Sequence, residues 1–190
     1  MSATASPDGL VRDATPTDAR EIATVHVATW QYAYAGLLPE DFLACLDVNQ
    51  RAENWHRRIS DPPDRGFVLV YEQLGRIRGF ASGGPSRDGE GGAARAEGPG
   101  KIGEVYAIYV DPACQGQGAG TRLLGAAERS LAEAGFTEAS LWVLADNHPS
   151  RRFYESCGWR GDGTAKPFDY GAGQSIPEVR YVTRLTSPAG

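Results

Sequence analysis

At 190 residues with 41% hydrophobic side chains, the chain can bury the core of one domain, taken here as residues 8–187. A formal net charge of −5 excludes a protein that coats nucleic acid or an anionic membrane, since both need concentrated Lys and Arg. Cys45, Cys114 and Cys157 show neither CxxC spacing nor a neighbouring His ligand set, so no disulfide framework and no metal site are expected.

Taken in order, the elements alternate between strand and helix. Residues 10–13 form a short strand, and Thr15-Pro16-Thr17-Asp18 opens a helix, with Thr15 as cap and Pro16 at the first helical position. That helix runs through TVHVATWQYAY. Two more are expected at 39–46 and 48–60, the second opened by Asp47 and stopped by Asp61-Pro62-Pro63. FVLVYEQ and RIRGFASGG read as a hairpin around Leu74-Gly75. From 84 to 100 the composition collapses to Gly, Ala, Ser and charges, which predicts a mobile surface loop. A strand at 102–110, a helix at 119–135 and a strand at 139–144 then give a β-α-β order. A short helix near 149–157 and a last strand near 179–185 end the pattern, which has no internal repeat. The N-terminus shows no basic and apolar leader, and no stretch reaches the length of a membrane span. A cytoplasmic protein is therefore expected.

Residues 104–120 read EVYAIYVDPACQGQGAG: an apolar strand ends on a glycine-spaced turn at a helix start. Such a start offers unpaired N–H groups and about half a positive charge, so a polyanion is stabilised there without lysine. A Walker loop requires Gly-Lys before Ser or Thr, yet Gly120 is followed by Thr121 and Arg122. A dinucleotide fingerprint would place a third glycine at 121, where Thr121 stands.

What remains is Gln115-Gly116-Gln117-Gly118-Ala119-Gly120, which fits Arg/Gln-x-x-Gly-x-Gly/Ala. With AIYVDP before it and NHPSRRFYESCGW after it, the chain resembles the GCN5-related N-acetyltransferases. The resemblance implies an α/β fold (α+β by some schemes) with a mixed central sheet of about seven strands flanked by helices. It also implies acetyl-CoA as co-substrate and no metal. Ile108, Tyr109 and Val110 would lie on a strand that splays from its neighbour and pairs with the pantetheine arm. Gly116, Gln117, Gly118, Ala119, Gly120 and Thr121 would take the pyrophosphate, with Gln115 at the loop entrance and Arg122 adding charge. Asn147 would contact the pantetheine arm, although Asn before His148-Pro149 also serves as a helix cap.

Acetylating an amine poses two proton problems. An alkylammonium with pKa near 10 must lose a proton, which costs roughly 4 kcal/mol at pH 7, and the departing thiolate gains from a proton donor. Tyr154 sits at the family's donor position. Glu104 sits where several members carry a catalytic glutamate. In the enzymes that acetylate ribosomal-protein N-termini, a catalytic Glu lies five residues before the motif Asn, and here Trp142 stands there. The chain therefore looks more like an enzyme acting on a small amine by direct transfer, with both substrates bound together. A protein lysine or N-terminal acetyltransferase, or a non-catalytic acyl-CoA sensor, stays open as an alternative. His26, Trp30 and Tyr34 recur every four residues, so they share one helix face as an aromatic wall for the acceptor or as core. Tyr170, Glu178 and Tyr181 are weaker candidates for the acceptor side. Many family members pair as homodimers, and no segment here locates such an interface.

Overall fold

The computed structural model describes residues 9–88, 102–171 and 173–186. From residue 89 onward, the expected 84–100 loop lies outside the described residues. The element order is β1 (Leu10–Asp13), α1 (Ala19–Ala33), α2 (Glu40–Ala44), α3 (Val48–Ser60), β2 (Phe67–Gln73), β3 (Arg76–Pro85), β4 (Ile102–Val110), α4 (Ala119–Glu133), β5 (Glu138–Leu144), α5 (His148–Ser156), β6 (Arg160–Gly171) and β7 (Gln174–Arg184). The strands form one seven-stranded sheet in the order β1-β2-β3-β4-β5-β7-β6. Only β4 and β5 pair in parallel, across the α4 crossover, so the sheet is mixed.

Local chemistry explains most boundaries. The Asp18 carboxylate accepts from the Thr15 backbone N–H, completing a capping box around one turn of 3-10 helix before α1. Asp47 caps α3 by accepting from the Gln50 N–H. Leu74 and Gly75 both hold positive φ, at 52° and 71°, which suits the two-residue turn of the β2–β3 hairpin. Helices cover both faces of the sheet, so β2 buries side chains in both directions. Val68 and Val70 join the cluster under α1 and α3, whereas Leu69 and Tyr71 join the cluster under α4.

Two departures from the sequence reading bear on function. Residues 160–171 carry no assigned element in the sequence, yet β6 runs there along the sheet edge, and β7 begins at Gln174, ahead of the expected start near 179. Pro167, opposite Pro177, needs no ladder N–H at an edge. Second, β4 carries an extra residue: Val105 and Ala107 face Gly83 and Ser82, leaving Tyr106 bulged. The parallel ladder to β5 ends at Val105↔Leu141, just where that bulge begins, while β5 stays paired with β7 as far as Leu144↔Glu178. Beyond Val105 the edge of β4 facing β5 has no strand partner among the described residues.

Candidate active site

The parting of β4 from β5 opens a cleft of about 960 Å³. At one end stands the turn before α4, in the middle the free edge of β4 facing Asn147 and Tyr154, and at the far end a wall from α1, β6 and β7.

The turn is shaped by its glycines. Gly116 and Gly118 hold φ of 74° and 84°, and a Cβ on either would point into open space, so conformation and not crowding selects glycine there. Gly120 differs, because its Cβ would sit 3.3 Å from the Phe153 ring; glycine lets α4 and α5 approach. The first turn of α4 leaves the N–H groups of Ala119, Gly120 and Thr121 without intrahelical partners, and the first helical bond there runs from Arg122 N to Gly118 O. Open space, αL backbone and a free helix start together form a cradle for a polyanion. The free edge of Tyr106–Val110 can pair with an amide-bearing chain that continues from it.

Of the residues expected at the cradle, Gln115, Gly116, Gly118, Gly120 and Thr121 line the cleft, as do Ile108, Tyr109 and Val110. Gln117 and Ala119 do not. Gln117 donates to the Ala113 carbonyl, at 3.4 Å, and Ala119, the first residue of α4, is buried. Arg122 turns away to the Gly9 carbonyl, at 3.2 Å. Asn147 holds both positions open to it: its Oδ1 accepts from the Ser150 N–H as the α5 cap, while the buried side chain also lines the cleft.

Tyr154 packs among Phe153, Trp159 and Tyr181. Its hydroxyl finds no hydrogen-bond partner among the described residues, and burial pushes its pKa well above the ordinary tyrosine value. The phenol is therefore a protonated, unengaged donor on the cleft wall.

Glu104 meets surroundings that its sequence position did not predict. It lies inside β4, not at its opening, paired in register with Gly84 and Ser140. The side chain is 0% exposed and absent from the cleft lining. Arg87 holds both carboxylate oxygens, through its backbone N–H at 2.8 Å and its Nε at 3.0 Å. The ion pair anchors the segment after β3 and sets the Arg87 side chain against Tyr106 at the cleft. Arg87→Ala should cost roughly 2 kcal/mol in urea unfolding, below the ~3–5 expected of a fully enclosed pair because Arg87 is 58% exposed. Unchanged stability would remove this anchoring role.

The α1 aromatics form a ladder, with ring centroids 5.4 Å apart for His26–Trp30 and 5.1 Å for Trp30–Tyr34. Only Trp30 and Tyr34 reach the cleft. His26 is buried, accepts from Trp55 Nε1 on its Nδ1, and is held down to about pKa 3, first by burial and then by Arg51. It is a neutral core residue. Tyr34 and Tyr109 meet hydroxyl to hydroxyl at 3.3 Å. The wall facing them comes from the hairpin that sequence reading lacked: Phe168 packs on Trp30 and Tyr170 on Phe42. Alternation of Thr164, Lys166, Phe168 and Tyr170 on one face was the available signal. Glu178 on β7 also lines the cleft, whereas Tyr181 is buried and bonds Glu155 and Arg151. Among the described residues no group of three or more His, Cys, Asp or Glu could hold a metal ion, and no helix is long and apolar enough to cross a membrane.

The profile of the Acetyltransferase (GNAT) family matches residues 27–159. An uncharacterized N-acetyltransferase of Bacillus subtilis, YuaI, is 35% identical over 146 residues, 77% of each chain. A mycothiol acetyltransferase of Acidothermus cellulolyticus is 36% identical over 126 residues, covering 63% of this chain but only 38% of that longer protein. Among solved structures, the PaiA N-acetyltransferase of Thermoplasma acidophilum, in complex with coenzyme A, superposes with a TM-score of 0.69 at 18% identity, over 93% of this chain and 98% of that one.

Proposed function

The chain belongs to the acetyltransferase (GNAT) family, and from that premise we propose that it transfers acetyl from acetyl-CoA to the primary amine of a small molecule, both held in the cleft together. The observation that carries this reading is the continuity of one cavity from the Gly116–Gly118 cradle, along the free edge of β4 and past Tyr154, to the aromatic wall. Acetyl-CoA supplies the acyl group as an activated thioester. The chain's own part is binding, orientation and proton control.

The cradle N–H groups bind the diphosphate, and the β4 edge from Tyr106 to Val110 holds the pantetheine arm in strand-like pairing, so the reacting end is aimed at Tyr154. Asn147 contacts that arm from the cap of α5. Tyr154 Oη keeps a proton ready for the departing sulfur. Burial among Phe153, Trp159 and Tyr181 keeps that proton in place across the neutral range.

A small acceptor is favoured over a peptide because the far end is closed on two sides. Phe42–Tyr170 and Trp30–Phe168 contacts, at 5.6 and 6.2 Å between centroids, bring α1 and α2 against the β6–β7 hairpin. Relatives named mycothiol acetyltransferase point the same way. Turnover of acetyl-CoA across a library of primary amines, read as thiol release against heat-killed protein, tests the reading. Release with one or more small amines is expected. Turnover confined to peptide or protein amines would overturn the acceptor class, and none at all would favour an acyl-CoA sensor.

A further inference from the structure

We propose that Glu178 receives the acceptor's ammonium group and takes its proton, and that the acceptor enters the cleft as a cation. This rests on the acetyltransferase reading above and moves the proton-accepting role from Glu104 to a carboxylate that faces the cleft.

Of the four charged residues that line the cleft, Arg87 and Lys166 are ion-paired, the exposed Asp169 accepts from the Gly171 N–H at 2.7 Å, and Glu178 alone has neither kind of partner among the described residues. Arg87 is held by Glu104, at 3.0 Å from Nε. Lys166 lies directly across from Glu178 in the β6–β7 register, yet its ammonium goes to Asp88, at 3.2 Å, stacked over the Trp142 ring. Arg180, two residues along β7 and so on the same face as Glu178, also goes to Asp88, at 3.3 Å, and to Asp162 at 2.7 Å. Asp88, itself only 10% exposed, accepts from Trp142 Nε1 as well. It thus draws away both cations that flank Glu178. Glu178 makes no hydrogen bond or ion pair among the described residues, lies half-buried in the cleft, and shares it with Trp30, Tyr34 and Phe168. A half-buried carboxylate without a partner is costly unless a ligand completes it. An ammonium group, with an aromatic wall beside it for the attached apolar body, is the chemistry that does so.

The charged and titratable groups around Glu178 are Lys166 on β6, Arg180 on β7, Arg87 and Asp88 after β3, Glu104 and Tyr109 on β4, and Tyr34 at the end of α1. Burial is the largest influence and raises the Glu178 pKa above the ordinary carboxylate value, against the opposing pull of Lys166 and Arg87. A raised value makes the carboxylate a better proton acceptor. In the step itself one ammonium N–H bond breaks, its electron pair stays on nitrogen, and an O–H bond forms on Glu178. The carboxylic acid then returns the proton to water at the cleft mouth.

The test uses the full chain and the most reactive of four probe amines: tyramine, histamine, spermidine and lysine methyl ester. In wild type, kcat/KM should rise with pH through an acid limb. Glu178→Gln should lower kcat/KM at pH 7 about 100-fold and remove that limb. Calorimetry should show the probe amine binding about 10-fold more weakly or worse, with coenzyme A affinity unchanged as the check on folding. Asp88→Asn supplies an independent positioning test: Lys166, released, falls back on Glu178 and moves the acid limb to lower pH, while Arg180 keeps Asp162. Wild-type kcat/KM, acid limb and amine affinity in Glu178→Gln would overturn the assignment, as would loss of the limb in Glu104→Gln alone. If wild type binds coenzyme A but turns over none of the amines, the acetyltransferase reading underneath fails, and this one with it.

Discussion

Gly118→Glu should abolish coenzyme A binding, leaving no measurable heat in a calorimetric titration at concentrations that saturate wild type. Three effects act together. Gly118 caps α4 with φ of 84°, a conformation that costs a residue with a Cβ roughly 1–2 kcal/mol. The new side chain projects into the space that glycine leaves open, where the diphosphate would lie. Its carboxylate also places a negative charge beside a polyanion at a helix start whose partial charge is about +0.5. Gly118→Ala separates these effects, since it carries the backbone strain and a small part of the bulk without the charge. It should weaken binding only partly. Neither change should unfold the protein, because no atom lies within 4 Å of the added Cβ. Wild-type affinity in Gly118→Glu would show that the cradle holds no anion.

Local chemistry carries as far as the backbone around that cradle, and this is why the core of the fold was legible. The strand at 102–110, the hairpin at 67–73 and 76–85, and the helix starting at 119 announce themselves through β-branched and aromatic runs, a Leu-Gly turn and a glycine-spaced helix start. β6 was hidden because Gly161, Gly163, Pro167 and Gly171 read as turn. An edge strand tolerates them, as it needs neither a full ladder nor two buried faces. Its inward alternation of Thr164, Lys166, Phe168 and Tyr170 was present but weak beside those breakers. The ionic arrangement was out of reach for a different reason. Which cations Glu104 and Asp88 meet depends on pairs separated by 17 to 92 residues, and nothing in local spacing reports them or the lack of an ion pair at Glu178 among the described residues. Glu104 therefore looked accessible and Glu178 marginal, whereas the sheet buries the first and leaves the second facing the cleft. Asn147 was ambiguous between cap and ligand contact because one side chain has room for both, an acceptor used by Ser150 and a face on the cavity.

Tyr154→Phe should lower kcat about 100-fold while coenzyme A affinity and folding stability stay near wild type. The three parts of this expectation have separate causes. Turnover falls because the phenylalanine ring has no proton to give the departing sulfur. Cofactor affinity is spared because the binding energy is assigned to the α4 start and the β4 edge, neither of which the ring touches through its oxygen. Stability is spared because the hydroxyl has no hydrogen-bond partner among the described residues, while the ring contacts to Phe153, Trp159 and Tyr181 survive in phenylalanine. A structural tyrosine would behave in the opposite way, with stability lost and turnover falling only in proportion to folded enzyme. The pH profile supplies a further constraint. Since burial raises the Tyr154 pKa above its ordinary value of about 10, the phenol is protonated at every pH below that value. Loss of the donor in wild type then belongs to strongly alkaline solution, and no basic limb near pH 8 should arise from it. A Tyr154→Phe enzyme that keeps wild-type kcat would show that the thiolate leaves without this proton, and a basic limb near pH 8 that vanishes in the variant would show that the phenol titrates as if exposed.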